Sequence, residues 1–274
     1  MGIYVLKEER GLQMDNIKLA TYNIRMETPE DKDDLWEKRK EHIQNIVQDY
    51  DFDIIGFQEV KENQLRDLQT LTDYSYVGLG RSDDAGNEYN SIFYKKEKFN
   101  LLESDTFWLS ETLKHEGKSK RWNADCPRIC TWGRFRIKQS GKEFYLFNTH
   151  FDHLSEDARY HSAQIMIDYI SNTVPKTPIF LIGDFNGDEN ERFYHALVSE
   201  LRNVVQESPH HVGPMETCTG MGFNHRLSWD KYQCIDYIFA NKYSTINKTM
   251  TITDRFHARY PSDHFAVCLD TTLR

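Results

Sequence analysis

The sequence predicts a single α/β domain composed of two similar halves, each a β-sheet with helices on its outer side. The order of elements supports this prediction, because strands, helices and hairpins follow one another in the same succession twice. The chain of 274 residues has the length of one large α/β domain and contains no low-complexity segment or linker. We therefore place the domain at residues 17–274 and interpret the polar, irregular residues 1–16 as an N-terminal extension.

The first half is predicted to begin with two strands and two helices in alternation. Residues 17–23 alternate in the manner of a strand, and residues 53–58 form a short apolar run of strand length. Apolar residues at helical spacing predict a helix after each strand, over residues 36–50 and 61–71. Shorter strands are then predicted at residues 74–79, 90–94, 101–109, 128–138 and 143–151, the last two joined in a hairpin.

The second half repeats this succession with a longer first helix. Ala163 and Met166 share one face of a predicted helix over residues 156–172. The bounded apolar run at residues 177–182 predicts a buried strand. A shorter helix is then predicted over 191–201, a loop-rich stretch over 204–229, and strands at 233–240, 250–253 and 264–269.

Composition and charge exclude several classes of protein. No apolar run approaches the length of a membrane span and the N-terminus lacks a signal-peptide core, so we expect a cytoplasmic protein or one whose export signal has been removed; we also expect a monomer. Five cysteines without a Cys-x-x-Cys pair indicate reduced thiols rather than disulfides or a zinc site. A net charge of −9 argues against tight, sequence-independent binding to long nucleic acid, although a metal ion can supply local positive charge for a nucleic-acid substrate.

Polar side chains follow or precede the apolar runs at six strand ends. The pattern is clearest where Asp184 and Asn186 follow a glycine that ends a buried run. Each position has an ordinary explanation by itself, such as a strand-end cap for Asn23 or the start of a helix for Glu59. If every position had only its ordinary explanation, the presence of so many polar side chains at one edge of a sheet would be a coincidence. The sequence therefore indicates a functional site at that edge. The six ends carry Asn23, Glu59, His150 with Asp152 and His153 (the last two interpreted as solvated neighbours), Asp184 with Asn186, Asp236, and Asp263 with His264.

The chemistry of these side chains points to a hard cation and a phosphoester. Carboxylate and amide oxygens favour Mg²⁺ or Mn²⁺ over zinc. Such a cation screens phosphate charge and stabilises the oxyanion that develops during hydrolysis. Imidazole titrates near neutral pH, so His150 and His264 are candidates for proton transfer, and Asp236 can orient His264. The candidate oxygen donors are Asn23, Glu59, Asp184 and Asp263.

Six short motifs occur in order along the chain. They are Tyr22-Asn23-Ile24-Arg25, Gln58-Glu59-Val60, Asn148-Thr149-His150-Phe151-Asp152-His153, Gly183-Asp184-Phe185-Asn186, Ile235-Asp236-Tyr237-Ile238-Phe239 and Ser262-Asp263-His264-Phe265. Together they resemble the endonuclease/exonuclease/phosphatase superfamily, which includes DNase I, AP endonucleases, neutral sphingomyelinases, inositol polyphosphate phosphatases and nocturnin-like deadenylases. A further stretch at residues 106–111 and 122–128 resembles a bacterial branch that is largely named by fold rather than by substrate.

The resemblance implies a four-layer α/β sandwich, in which two packed mixed β-sheets are flanked by helices, and a Mg²⁺-dependent hydrolysis of phosphoesters. It implies Glu59 as the main metal ligand, with Asn23 and Asp263 nearby. It leaves open whether Asp184 or His264 takes the proton from water. The catalytic set that it implies is His150, which contacts phosphate, Asp184 and Asn186, which position the nucleophile and stabilise the transition state, and His264 paired with Asp236.

The substrate stays open at this point, with a phosphodiester favoured. Arg128 can hold a substrate phosphate and Trp108 can wall a pocket, and residues 110–127 and 207–229 are expected to set specificity. Nucleic acid, nucleotide, phospholipid and sugar phosphate are all candidate substrates, and a phosphomonoesterase acting on a sugar or inositol phosphate is the alternative. Two other classes are a glycoside hydrolase with two carboxylates, which has no use for the histidines, and a non-catalytic binding module on the same fold.

Overall fold

Two β-sheets packed face to face lie at the centre of the protein. The computed structural model describes residues 15–83, 87–113, 122–219, 223 and 233–274. Within them, the first sheet has seven strands and the second has six. The first comprises β1 (Asn16–Asn23), β2 (Ile54–Gln58), β3 (Tyr74–Val77), β4 (Ile92–Lys95), β10 (His211–Val212), β12 (Ser244–Ile252) and β13 (Ala266–Leu273); the second comprises β5 (Phe99–Trp108), β6 (Ile129–Ile137), β7 (Glu143–His150), β8 (Ile179–Asp184), β9 (Arg202–Asn203) and β11 (Asp236–Ala240).

Helices cover the outer face of each sheet, which gives four layers. One large apolar cluster, with Ile54 and Ile182 among its members, fills the space between the two sheets. Two further clusters join the helices to the outer faces of the sheets. This arrangement confirms the predicted four-layer α/β sandwich with its helices on the outside. The helices are α1 (Trp36–Asp49) and α2 (Glu62–Leu68) on the first sheet, and α3 (Glu156–Thr173) and α4 (Arg192–Val198) on the second.

The helices form where apolar residues recur at helical spacing. In α1, Ile43 and Val47 are buried one turn apart, and in α3 the same holds for Ala163 and Met166. The start of α3 is fixed by Ser155, whose hydroxyl accepts a hydrogen bond from a backbone N–H of the first turn. The predicted helices are therefore present, with ends shifted by a few residues.

Strand pairing brings the polar ends of six strands to one edge of the sandwich. β1 runs parallel to β2 with Asn23 opposite Gln58, and β7 runs parallel to β8 with His150 opposite Asp184. β11 is antiparallel to β8, so its first residue, Asp236, lies opposite Asp184. β13 is antiparallel to β1, so the residues just before β13 lie near the end of β1. This pairing gathers side chains that are far apart in sequence.

Two strands are longer than the sequence predicts. The predicted strand at 250–253 is only the end of β12, which begins at Ser244, and β13 continues to Leu273. Both strands have a partly solvated face, and the polar residues on that face obscure the apolar pattern by which a strand is recognised in the sequence. A register shift between Ile246 and Lys248 further interrupts the alternation of β12. The predicted loop-rich stretch also contains the short strand β10; residues 220–222 and 224–229 of that stretch lie outside the described parts.

The composition also led to expectations about the cysteines and about membrane spans. The five cysteines all lie in the described parts of the chain, and none of them forms a disulfide there. In the described parts of the chain, no helix is long and apolar enough to cross a membrane.

Gly183 occupies a position that excludes any side chain. Its φ is 149°, and a Cβ there would overlap the backbone carbonyl oxygen of Thr149 on the parallel strand β7. Gly183→Ala is therefore expected to lower the free energy of unfolding by about 3 kcal/mol or more, because backbone atoms cannot move aside cheaply. Gly141→Ala is the matched control, since φ there is also positive, at 77°, and nothing lies within 4 Å of the added carbon. We expect it to cost about 1 kcal/mol in urea denaturation, and equal losses in the two variants would contradict this explanation.

Candidate active site

His264 and Asp236 form a buried pair at the polar edge. The Nδ1 atom of His264 lies 2.9 Å from Oδ2 of Asp236. Burial by itself lowers the pKa of His264, but the carboxylates of Asp236 and Asp184 outweigh it and hold that pKa well above its usual value. The imidazole therefore carries a proton on both nitrogens at neutral pH. Its second nitrogen, Nε2, is 3.7 Å from Oδ2 of Asp184.

Asp184 stands at the centre of the cluster. Its Oδ2 atom lies 2.9 Å from Nδ2 of Asn23 and 3.3 Å from Nε2 of His150. Its Oδ1 atom accepts a hydrogen bond of 2.9 Å from the backbone N–H of Asn186. Burial raises the pKa of Asp184 to about 7, against the opposing charge of His264. Asp184 therefore changes charge near neutral pH, which is the property required of a group that exchanges a proton with water.

His150 and Asn186 form a second pair beside Asp184. Nδ2 of Asn186 lies 2.8 Å from Nε2 of His150 and donates to the carbonyl oxygen of Phe151 at 3.0 Å. Burial, followed by the positive charges of Arg128 and Arg81, holds the pKa of His150 well below its usual value. The imidazole is therefore neutral. A neutral imidazole next to an amide suits the binding of phosphate oxygens without a further change of charge.

Glu59 follows β2 and faces the same cluster from the first sheet. Its Oε1 atom accepts a hydrogen bond of 3.0 Å from Nδ2 of Asn23, and Oε2 accepts one of 2.9 Å from the backbone N–H of Met26. Its φ is 60°, a left-handed conformation that is uncommon for a residue with a side chain and that clusters at functional sites. Burial alone raises the pKa of Glu59, but the charge of His264 and the Met26 N–H outweigh it, so the pKa is lowered. Glu59 is thus a carboxylate at neutral pH.

Asn23 and Asp263 complete the predicted metal-binding side. The amide oxygen of Asn23 accepts a hydrogen bond of 2.9 Å from the backbone N–H of Arg25, so the amide nitrogen faces the carboxylates. Oδ2 of Asp263 lies 3.9 Å from a guanidinium nitrogen of Arg25. Asn23 lies where the sequence predicts, but an oxygen ligand at this position would require its amide to turn. Its role as a ligand stays a prediction.

The donors of this site fit a hard divalent cation. Ligand atoms of Glu59, His150 and Asp184 lie within 4.8 Å of one another. Carboxylate oxygens predominate in this group, which favours Mg²⁺ or Mn²⁺ over a thiophilic ion. Burial also raises the pKa of Asp263, against the charge of His264. A bound cation stabilises the ionised form of buried carboxylates. This side of the site therefore has the charge and the donors that such an ion requires.

Cation binding is expected to release protons near neutral pH. Because the pKa of Asp184 is about 7 without a cation, part of the protein holds a proton there at pH 6.5, and a nearby positive charge expels it. Mg²⁺ affinity should therefore rise from pH 6 to pH 8. Calorimetric titration in two buffers of different ionisation enthalpy measures the proton release directly. Identical heats in the two buffers at pH 6.5 would contradict the raised pKa.

A second group of potential metal ligands lies nearby, at Asp125, Cys126 and His153. Two guanidinium groups already contact this second group. Nη2 of Arg128 lies 3.1 Å from Nδ1 of His153, and Nη1 of Arg81 lies 3.5 Å from Sγ of Cys126. Positive charges at this distance oppose a cation. The carboxylate cluster around Asp184 is therefore the better metal site.

Arg128 and Trp108, the two residues predicted to bind substrate, lie on the His150 side of the cluster. Arg128 directly precedes β6 and is buried, with its guanidinium against His153. Trp108 ends β5, and its indole N–H donates to the backbone carbonyl of Arg81 at 3.0 Å. Trp108 thus positions the backbone of Arg81, and its own contact with substrate stays a prediction.

Asp152 is buried, which corrects its interpretation as a solvated neighbour. Its Oδ2 atom accepts a hydrogen bond of 2.8 Å from the N–H of Asp125, and Oδ1 accepts from those of Leu154 and Ser155 at 3.0 and 2.8 Å. These bonds hold the turn before α3, so the side chain has a structural role. His153 is more exposed, with 38% of its side chain accessible.

Thr217 is a site residue that sequence reasoning missed. Its hydroxyl donates to Oδ2 of Asp236 at 2.7 Å and accepts from the backbone N–H groups of Ile235 and Asp236 at 3.1 and 3.0 Å. The same carboxylate oxygen therefore receives both Thr217 and His264. Thr217 fixes the position of Asp236 and, through it, of His264.

The two residues after Thr217 contact the same side of the site. Sγ of Cys218 lies 3.6 Å from Nε2 of His264, and the hydroxyl of Thr219 donates to the backbone carbonyl of Asp263 at 3.0 Å. The sequence gives no local signal for these contacts, because the segment lies in a loop-rich stretch without a motif. Its partners are more than 40 positions away along the chain.

Thr217→Val is expected to lower kcat by about 10- to 100-fold and the free energy of unfolding by about 1–3 kcal/mol, because it leaves two backbone N–H groups without their partner and removes one of the two hydrogen bonds that Oδ2 of Asp236 receives. Thr217→Ser keeps the hydroxyl and should keep most of the activity. Kinetics and urea denaturation of both variants measure these effects. A Thr217→Val protein with unchanged kcat would show that the contact does not position His264.

The fold and the gathered side chains define a class of protein. A four-layer α/β sandwich with carboxylates, amides and histidines collected at the ends of its central strands is a DNase I-like structure. The profile of the Endonuclease/Exonuclease/phosphatase family matches residues 20–264. The chain therefore belongs to this family, whose nucleases and phosphatases hydrolyse phosphoesters, and the resemblance noted in the sequence is confirmed.

Similar proteins cover most of this chain. The endonuclease/exonuclease/phosphatase of Bacteroides vulgatus is 32% identical, with a TM-score of 0.89 over 94% of this chain and 99% of that one. A mannosyl-6-phosphatase of Bacteroides thetaiotaomicron is 34% identical, with a TM-score of 0.87 over 94% of this chain and all of that one. Nocturnin of Drosophila melanogaster is 28% identical over 210 residues, which are 67% of this chain. That match spans only 31% of nocturnin.

Proposed function

We propose that this protein is a Mg²⁺-dependent phosphoester hydrolase, with Mn²⁺ able to replace Mg²⁺. The observation that carries the proposal is the convergence of Glu59, Asp184, His150 and His264 on one buried edge, with ligand atoms within 4.8 Å in each of two overlapping groups. Carboxylates for a cation and imidazoles for protons and phosphate are the two requirements of this chemistry. Membership of the family supports the same reaction class.

Glu59 and Asp263 would hold the cation, with Asn23 beside them. The bound cation supplies charge screening and polarises a phosphoryl oxygen. His150 and Asn186 lie beside Asp184, where their nitrogen atoms would contact the phosphate once the hydrogen bond between them opens. The scissile phosphate would then lie between the carboxylates of the first sheet and the side chains of His150 and Asn186 in the second.

We infer the proton transfers from the charges of Asp184 and His264. His264 already carries two protons and its raised pKa keeps them, so it is a poor acceptor. Asp184, whose pKa burial raises to about 7, would take the proton from the attacking water. His264 lies 3.7 Å away and donates to the negative charge that develops.

Two substrate classes are candidates. The sequence favours a phosphodiester. The similarity to the mannosyl-6-phosphatase, which extends over the whole of that chain, favours a phosphomonoester of a sugar instead. The nocturnin match covers less than a third of that protein and does not favour either class.

Hydrolysis of 4-nitrophenyl phosphate and bis(4-nitrophenyl) phosphate, with Mg²⁺, Mn²⁺ or EDTA, tests the proposal. We expect release of nitrophenol that depends on the metal and is abolished by EDTA. Activity that survives EDTA would favour a hydrolase that uses two carboxylates without a metal. Binding of Mg²⁺ without turnover of sugar phosphates, nucleotides, nucleic acids or phospholipids would favour a binding module.

A further inference from the structure

Arg128 is a buried cation that has no anionic partner among the described residues. Its residue is 8% exposed, its Nε atom is buried without a hydrogen-bond partner, and Nη2 contacts an imidazole nitrogen of His153. Within the described parts of the chain it forms no ion pair with a carboxylate. A guanidinium is charged at every accessible pH, and burying an unpaired charge is unfavourable. A partner from outside the chain would remove this cost.

The nearby carboxylates are engaged with other groups. Glu88 accepts a hydrogen bond of 2.8 Å from Nη2 of Arg81 and lies 4.0 Å from Nζ of Lys61. Asp152 directs both of its oxygens at backbone N–H groups. Glu88 and Asp152 thus lie close enough to feel the charge of Arg128, but neither of them forms an ion pair with its guanidinium.

Strand pairing places Arg128 next to the phosphate-binding pair. β6 is antiparallel to β7 with Cys130 opposite Thr149, and the hydroxyl of Thr149 donates to the carbonyl of Ile129 at 3.1 Å. The residue before Ile129 therefore lies beside the chain at His150. In agreement with this position, Arg128 is the charge that lowers the pKa of His150 most, after burial itself.

We propose that Arg128 binds the terminal oxygens of a phosphate dianion and thereby makes the enzyme selective for phosphomonoesters over phosphodiesters. The inference rests on the proposed function and names its substrate class. The site would then surround one phosphate with the guanidinium of Arg128, the imidazole of His150 and the amide of Asn186.

The two ester classes differ in the group that would meet Arg128. A monoester has three terminal oxygens and two negative charges near neutral pH, and it can bond a guanidinium through two oxygens at once. In a diester, one of those oxygens carries a second carbon chain and one charge is absent. Placing that chain against a buried guanidinium loses a hydrogen bond and leaves the cation partly unpaired.

The test compares Arg128→Met with Arg136→Met in the full chain. Arg136 lies on β6, the strand that Arg128 directly precedes, but it is exposed and paired with Glu143. Arg128→Met should lower kcat/KM for 4-nitrophenyl phosphate by about 100-fold and that for bis(4-nitrophenyl) phosphate by less than about 5-fold. Arg136→Met should change neither. Equal losses on the two esters, or no loss on the monoester, would overturn the proposal.

Arg128→Lys separates charge from geometry. Lysine keeps the positive charge but lacks the planar fork, so we expect monoester activity between those of the wild type and Arg128→Met. Arg128→Met should remain folded, because an apolar side chain of similar length replaces an unpaired buried charge. A melting temperature near that of the wild type checks this.

Phosphate binding supplies a readout that does not require turnover. With Mg²⁺ present, inorganic phosphate should raise the melting temperature of the wild type and of Arg136→Met, whereas diethyl phosphate should not. Arg128→Met should lose the shift. If the wild type hydrolyses neither ester but shows this pattern, the proposed function fails and the anion site stands. If it hydrolyses the diester and phosphate gives no shift, the hydrolase stands and monoester selectivity fails.

Discussion

His264→Asn is expected to lower kcat by about 10³- to 10⁴-fold while the fold is retained. The asparagine amide can replace Nδ1 as the donor to Asp236, which lies 2.9 Å from the imidazole. Asparagine has no second nitrogen to take the place of Nε2 beside Asp184 and no positive charge. The substitution therefore removes the proton donor but preserves the hydrogen bond that holds the buried carboxylate. Steady-state kinetics with Mg²⁺ and thermal unfolding measure the two effects separately.

The matched control for this prediction is His195→Asn. His195 is an exposed histidine on α4, so its replacement should leave kcat unchanged. Asp184→Asn should match the loss in His264→Asn, since we assign it the proton from water. Retained activity in His264→Asn, with the wild-type pH profile, would remove His264 from the mechanism. A loss that accompanies unfolding would instead assign the residue to stability.

The sequence predicts most of the fold because its strands and helices have regular patterns of apolar residues. The run before Gly183 and the helical faces of α1 and α3 are examples. β12 is predicted only at its end, because a solvated face and a register shift break its alternation. The local pattern of apolar residues therefore does not predict a strand that is stabilised by pairing with β13 rather than by burial of every second residue.

Some residues of the candidate site are likewise predictable from the sequence and others are not. The residues named from strand ends, among them Asp184 and His264, do lie together, because the pairing of parallel and antiparallel strands aligns those ends. Thr217 has no such signal, since it reaches Asp236 from a loop. The unpaired state of Arg128 is equally invisible in the sequence, because it depends on where the neighbouring carboxylates direct their oxygens. Contacts of this kind require the folded chain.

Glu59→Gln is expected to abolish detectable Mg²⁺ binding and to lower kcat by about 10³-fold or more. Both carboxylate oxygens receive N–H groups, from Asn23 and from the backbone of Met26. A glutamine must direct its own NH₂ at one of these donors, so one hydrogen bond is lost together with the negative charge. The left-handed backbone of Glu59, with φ of 60°, fixes the direction of the side chain, so a neighbouring carboxylate is poorly placed to substitute for it.

Calorimetric titration with Mg²⁺ and the Mg²⁺-induced change in melting temperature test this prediction without turnover. Glu200→Gln, at an exposed position after α4, is the matched control and should bind Mg²⁺ as the wild type does. Glu59→Asp keeps the charge but shortens the side chain, so it should bind more weakly than the wild type and more tightly than Glu59→Gln. If Glu59→Gln retains the full thermal shift, the cation is held by Asp184 and Asp263 instead. If Mg²⁺ binding is lost but turnover persists, hydrolysis does not depend on the metal. The reaction would then use Asp184 and Asp236, the carboxylates next to His264, without a cation.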